Sequence, residues 1–180
     1  MIQNSTAPVI ETERLRLRPF RHADVEPQAR MMADPEVVRH LGGTPMSREE
    51  SWRRMLSGTG MWAVLGYGYW VIERRSDGAF IGQAGFADFK RDMTPSIENL
   101  PEMGWVLARE SQGQGLATEA VDAGLRWADE ALGPAEFVAI ISPGNAPSIR
   151  VAEKAGFTER SEALYRGEPI LLFRRPPPVG

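Results

Sequence analysis

Gln112-Gly113-Gln114-Gly115-Leu116-Ala117 joins a strand-like segment, Met103 to Leu107, to a long helical pattern that starts at Ala117. A glycine-rich turn feeding a helix N-terminus leaves several backbone N–H groups without intrahelical partners, pointing outward and backed by the positive end of the helix dipole. Glycine at 113 and 115 lets the main chain curl around an anion, because a Cβ at either position would block close approach or disfavour a positive φ. The stretch therefore reads as a phosphate-binding turn. A Walker loop is excluded, since no Gly-Lys-Ser or Gly-Lys-Thr follows. A dinucleotide fingerprint is excluded too, since the third glycine is missing and the preceding strands form hairpins rather than a βαβ unit. Two readings of the string remain, a coenzyme A pyrophosphate loop and an ordinary glycine-rich turn.

Working outward, the apolar positions Ala117, Val121, Gly124, Ala128 and Leu132 recur at helical spacing, opposite Thr118, Glu119, Asp122, Arg126 and Asp129, and Gly133-Pro134 ends the pattern. Upstream, Met103, Trp105 and Leu107 alternate with Glu102, Gly104 and Val106 as in a strand. Tyr69 to Glu73 and Ala79 to Phe86 flank the turn Ser76-Asp77-Gly78 and predict a hairpin. Arg14 to Arg18 alternates with period two, a first strand with Leu15 and Leu17 on one face. Asp24, Asp34-Pro35 and the capping box Ser47-Arg48-Glu49-Glu50 predict two or three short helices between Asp24 and Ser57. Lys90 to Pro101 reads as turns. Downstream, Phe137 to Ile141 predicts a strand that can pair in parallel, and Pro147 to Ala155 a helix ended by Gly156. Phe157 to Leu164, the turn Arg166-Gly167-Glu168-Pro169 and Ile170 to Arg174 predict a closing hairpin, and Pro176-Pro177-Pro178 a tail. The expectation is one α/β domain over residues 1–180, ordered from about residue 9 to 175, without repeat or linker.

Composition narrows the function classes. With 42% hydrophobic and 25% charged residues in 180, the chain is that of a globular domain with its own core. A net charge of −3 and the lack of a Lys/Arg run long enough to neutralise a track of phosphates argue against nucleic acid as a partner. The longest apolar runs, Met61 to Leu65 and Ile170 to Phe173, fall far below the ~18 residues of a membrane span. The opening MIQNSTAPVIETERLRLRPF lacks a basic cluster followed by the roughly 7 to 15 apolar residues of a secretory leader, so a cytoplasmic location is expected. The absence of cysteine removes disulfides, thiolate metal sites and a cysteine nucleophile. His22 and His40 have no ligand partner at helical spacing, so no metal is expected; both are read as capping or facing solvent. Trp52, Trp62, Tyr67, Tyr69 and Trp70 are read as core more than as a ligand wall.

Three segments together, Glu102-Met103-Gly104-Trp105-Val106-Leu107, Gln112 to Ala120, and Asn145-Ala146-Pro147-Ser148 through Phe157, resemble the GNAT acetyltransferases, in particular the ribosomal-protein N-acetyltransferase-like branch. The likeness extends from Glu11-Thr12-Glu13-Arg14-Leu15 to Phe173. It implies a mixed, mostly antiparallel central sheet, splayed between the fourth and fifth strands and flanked by helices. It also implies acetyl-CoA as cosubstrate and an amine acceptor, either a protein N-terminus or a small molecule. In the family the strand matching Met103 to Leu107 is bulged and splays from its neighbour, so that Trp105, Val106 and Leu107 would pair with the pantetheine arm. The residues Gln112, Gly113, Gln114, Gly115, Leu116, Ala117 and Thr118 would hold the pyrophosphate, and Asn145 the pantetheine. Ser148 would lie near the thioester sulfur as a proton donor. Gln112 departs from the family pattern, where Arg or Trp is common nearby. Glu102, just before the strand lining the cosubstrate, is the candidate general base, directly or through water; the bland reading is a strand-end carboxylate in solvent. A non-catalytic acyl-CoA-binding domain would keep the same loop, and the sequence suits a monomer or a homodimer alike.

Overall fold

The computed structural model describes residues 6–177. In chain order the strands are β1 (Ile10–Glu11), β2 (Leu15–Arg18), β3 (Tyr69–Arg74), β4 (Phe80–Ala87), β5 (Met93–Thr94), β6 (Glu102–Leu107), β7 (Phe137–Ile141), β8 (Glu159–Tyr165) and β9 (Glu168–Arg175). The helices are α1 (Val25–Ala33), α2 (Pro35–Val38), α3 (Arg48–Leu65), α4 (Leu116–Ala131) and α5 (Ala146–Lys154). The strands form one mixed sheet in the order β1-β2-β3-β4-β6-β7-β9-β8-β5. Among its recorded pairings only β6 with β7 is parallel.

Helices cover both faces, and the alternation of strand side chains shows how. Tyr69 meets Gly58 of α3, whereas the next residue, Trp70, meets Gly124 of α4. The core gathers around Trp70: its ring centroid lies 4.8 Å from that of Trp62 and 5.1 Å from that of Trp127, both edge-on, the arrangement favoured by the aromatic quadrupole. The buried indole N–H groups are satisfied, Trp62 donating to the Tyr69 carbonyl at 3.1 Å and Trp70 to the Pro8 carbonyl at 2.9 Å. Trp62, Tyr69 and Trp70 are thus core residues, while Trp52 and Tyr67 are half-buried.

Several sequence expectations need correction. α3 does not stop near Ser57; it runs 18 residues to Leu65 and ends at Gly66 in the left-handed region. Gly58 and Gly60 disfavour a helix locally, yet Ser51, Met55, Gly58 and Trp62 form its buried stripe, and a Cβ on Gly58 would lie 3.2 Å from that of Tyr69. Packing overrides propensity there. Asp24 does not cap α1 with its side chain. Its carboxylate accepts from both terminal nitrogens of Arg18 at 2.8 Å and from the Arg21 N–H at 2.7 Å, forming with Glu73 a buried ion cluster. Lys90 to Pro101 contains strand β5, which pairs with β8. The last hairpin turns on Arg166 and Gly167 alone, both with positive φ (52° and 81°), as a tight two-residue turn demands. The proline tail runs to Pro178, which lies outside the described residues. Asp34 caps α2, and Ser47 with Glu50 forms the expected capping box on α3. Among the described residues no helix is long and apolar enough to cross a membrane.

Candidate active site

β6 pairs with β4 along its whole length, from Ala87↔Glu102 to Gly82↔Leu107. With β7 it shares a single pairing, Glu102↔Val138, next to the bond from the Val138 N–H to the Pro101 carbonyl at 3.1 Å. Beyond that point the two strands part, and among the described residues the edge of β6 from 103 to 107 has no strand partner. This is the expected splay between the fourth and fifth long strands. The bulge expected in the same strand is absent: its register with β4 is unbroken, and the irregularity in this part of the sheet falls between Ile72 and Glu73 of β3. The opening comes from the strands diverging.

At the C-terminal end of β6 a short 3-10 turn, Arg109–Ser111, delivers the chain to the glycine loop. Gly113 and Gly115 both adopt the left-handed region, with φ of 73° and 77°, and Gly115 is the N-cap of α4. Among the described residues no protein acceptor faces the N–H groups of 113–118, while the next amide, Glu119, closes onto the Gly115 carbonyl at 3.2 Å. A row of free amides at a helix N-terminus is a built anion receptor. The Gln112 side chain donates to the Leu107 carbonyl at 2.9 Å, fastening the loop to the strand it leaves. The Gln114 side chain donates to the Glu110 carbonyl at 2.9 Å, and its backbone N–H has no protein acceptor among the described residues.

The splayed strands, the loop and α5 enclose a cleft of about 620 Å3. Trp105, Val106 and Leu107 line it from β6, Gln112, Gly113 and Gly115 from the loop, Leu116, Ala117 and Thr118 from α4, and Asn145 and Ser148 from α5. Asn145 also caps α5, its side-chain oxygen accepting from the Ser148 N–H at 3.3 Å, so capping and cleft lining are compatible. Glu102 and Gln114 are absent from this wall. Opposite the loop stands a wall the sequence did not reveal, with Val37 of α2 and Arg39, His40 and Leu41 just beyond it. His40 is half-buried there, its ring 3.8 Å from where a Cβ on Gly144 would stand, rather than a solvent-facing cap. Arg150 and Lys154 add cationic side chains to the lining; their i, i+4 spacing on α5 was the available sequence signal.

Glu102 is not in solvent. It is 4% exposed, and its two oxygens accept from Nε and Nη2 of Arg91 at 2.6 and 2.8 Å. The Arg91 guanidinium also lies over the rings of Phe89 and Tyr165, 4.6 and 5.0 Å from their centroids. Two residues along the strand, a Cβ on Gly104 would meet the Tyr69 hydroxyl at 2.3 Å, so glycine is what lets this phenol lie against β6. Burial, reinforced by the nearby Glu102 carboxylate, pushes the Tyr69 hydroxyl up to about 12, which keeps it protonated at neutral pH.

A family model described as an acetyltransferase (GNAT) domain matches residues 14–158. The chain belongs to the GNAT acetyltransferases. As a member it is an acetyltransferase that uses acetyl-CoA as acetyl donor. This acetyltransferase is 31% identical over 176 residues to an uncharacterized Bacillus subtilis (strain 168) protein, YkkB, with 91% of this chain and 93% of that protein covered. A solved GnaT-family acetyltransferase structure from Bordetella pertussis shares 32% identity at a TM-score of 0.82, covering 94% of this chain and 99% of that one. The ribosomal L7/L12 alpha-N-protein acetyltransferase RimL, solved with coenzyme A, shares the fold at a TM-score of 0.74 and 18% identity, covering 94% and 98%.

Proposed function

We propose that this acetyltransferase, a single domain over residues 1–180, moves the acetyl group of acetyl-CoA directly to a primary amine within a ternary complex. The observation that carries the proposal is the row of free amides at 113–118, opening into the same cleft as the unpaired edge of β6. The loop amides suit the diphosphate. The exposed edge of β6, carrying the N–H and C=O of Trp105 and the N–H of Leu107 with Val106 between them, and Asn145 in the same cleft, suits an amide-bearing arm that pairs like an added strand. Arg150 and Lys154 suit its anionic character.

In the step itself the amine nitrogen attacks the thioester carbonyl carbon, the C–S bond breaks, and the sulfur leaves with the electron pair. On the free edge of β6 the available donors are the N–H groups of Trp105 and Leu107, either side of Val106, and one of these would steady the oxyanion. Ser148 supplies a proton to the departing sulfur; with a thiol pKa near ~8.5 the thiolate is already a fair leaving group, so this help is modest. The proton lost by nitrogen goes to Glu102 through water, because the carboxylate stands outside the cleft wall. A carboxylate has about four lone-pair sites, and Arg91 uses two, so two remain. The demand on this base depends on the acceptor: neutralising a lysine-like amine at pH 7 costs about 4.6 kcal/mol, an α-amino group only about 1 kcal/mol. The smaller demand made by an α-amino group favours a protein N-terminus, the acceptor class in RimL's description. The lack of cysteine suits a cytoplasmic enzyme.

The test is to incubate the protein with acetyl-CoA and a panel of peptides with free N-termini, lysine side-chain analogues and small amines, following free thiol. Thiol release that requires an amine, fastest with peptide N-termini, supports the proposal; tight coenzyme A binding without amine-dependent release would assign a binding domain instead.

A further inference from the structure

The helix that presents its N-terminal amides to the cleft also carries a carboxylate in its first turn, Glu119. An acidic side chain so close to an anion receptor would repel the ligand unless its charge were answered. Arg14 of the N-terminal segment answers it. Its Nε donates to Glu119 Oε2 at 2.7 Å and its backbone N–H to Oε1 at 2.9 Å, while the Thr12 hydroxyl donates to Oε1 at 2.6 Å. Burial acts to push the Glu119 carboxyl up, but these bonds outweigh it and hold it below its ordinary value.

The same guanidinium reaches the loop. Nη1 donates to the Gln114 carbonyl at 2.9 Å, and Nη2 lies 3.5 Å from where a Cβ on Gly115 would stand. A trans peptide is planar, with its C=O and N–H pointing in opposite directions. Turning the Gln114 carbonyl toward Arg14 therefore turns the Gly115 N–H the other way. Gly115 lines the cleft; Arg14, Gln114 and Glu119 do not. The grip is from behind.

We propose that Arg14 is a positioning residue for the diphosphate loop, aiming the Gly115 amide into the cleft by anchoring the Gln114 carbonyl and cancelling the Glu119 charge behind the receptor. This rests on the reading of 113–118 as the diphosphate site. An ordinary structural ion pair would make its two halves equivalent, whereas this role makes them opposite in sign.

The experiment is calorimetric titration of the full-length protein with coenzyme A, for wild type, Arg14→Gln, Arg14→Lys, Glu119→Gln and the Arg14→Gln/Glu119→Gln double variant, with circular dichroism to check folding. Arg14→Gln is expected to weaken binding roughly tenfold and to raise the KM for acetyl-CoA with little change in kcat. Glu119→Gln binds within about twofold of wild type or tighter, and the double variant recovers part of the loss. Arg14→Lys, which keeps the charge without the fork, falls between. Equal losses in Arg14→Gln and Glu119→Gln, unchanged affinity in a folded Arg14→Gln, or a double variant no tighter than Arg14→Gln each overturn the assignment. Wild type failing to bind, or Gly115→Val matching wild type in both affinity and Tm, would instead sink the underlying reading of the loop.

Discussion

Replacing Gly115 tests the loop by conformation alone. Its φ of +77° lies in the left-handed region, and a Cβ there would meet nothing nearer than the Arg14 guanidinium at 3.5 Å, so the substitution creates no clash. The cost is in the backbone: an L-residue held left-handed loses roughly 1–2 kcal/mol, and a β-branched one sits at the upper end. Valine at 115 then either keeps the loop at that cost to stability or lets it relax to negative φ, swinging the amides out of line. In the second case binding must restore the receptive shape, and the apparent affinity falls by about 5- to 30-fold. In the first case affinity holds and Tm drops by roughly 2–8 °C for a chain of this size. Asparagine tolerates the left-handed region, so Gly115→Asn serves as the control and should keep most of both. Calorimetric titration with coenzyme A, paired with thermal melts, reads the two quantities together. Valine and asparagine variants that both match wild type in affinity and Tm would refute the reasoning, as would an asparagine variant that loses as much as the valine one.

Three further outcomes follow from the site. Glu102→Gln leaves the Arg91 guanidinium, whose side chain is 18% exposed, without its carboxylate; thermal melts should fall by roughly 10 °C, corresponding to about 3 kcal/mol, and Glu102→Gln/Arg91→Met should restore most of that. Ser148→Ala removes only a hydroxyl, since the bond to Asn145 comes from the backbone N–H; kcat in a thiol-release assay should drop less than about tenfold with Tm unchanged, and a larger loss would assign the serine more than modest proton donation. Asp77 is held at about 2 by Arg74 and by the Ala79 N–H. A depressed carboxyl contributes stability above its unfolded value near ~3.9 that is lost as pH falls through the folded one, so Asp77→Asn should flatten the acid limb of stability between about pH 4 and 2 and leave pH 7 dependence unchanged.

What the sequence showed and what it hid divide along the range of the interactions. The glycine loop, the α4 stripe, the β3–β4 hairpin and the Ser47 capping box are written in residues a few positions apart, and all can be read from the chain. α3 was foreshortened because Gly58 and Gly60 are locally poor in a helix, and only the approach of Tyr69 explains them. β1 and β5 are two residues each and exist through pairing with β2 and β8, which no local period announces. The cleft's loop side was legible; the wall at 37–41 was not, because α2 and the turn after it lie some seventy positions from the loop. The partners of the charged site residues, Arg91 for Glu102 and Arg14 for Glu119, are likewise hidden, since ion pairs between separate elements leave no fixed spacing to count.

The central claim, that the main chain at 113–118 receives the diphosphate, is tested most directly by following backbone amide resonances of isotopically labelled protein during titration with coenzyme A and, separately, with pantetheine, which lacks the diphosphate. Large shifts in the amides of 113–118 with coenzyme A, and small ones there with pantetheine while Trp105 to Leu107 still respond, are the predicted result. Coenzyme A that binds while those amides stay unmoved would contradict the account.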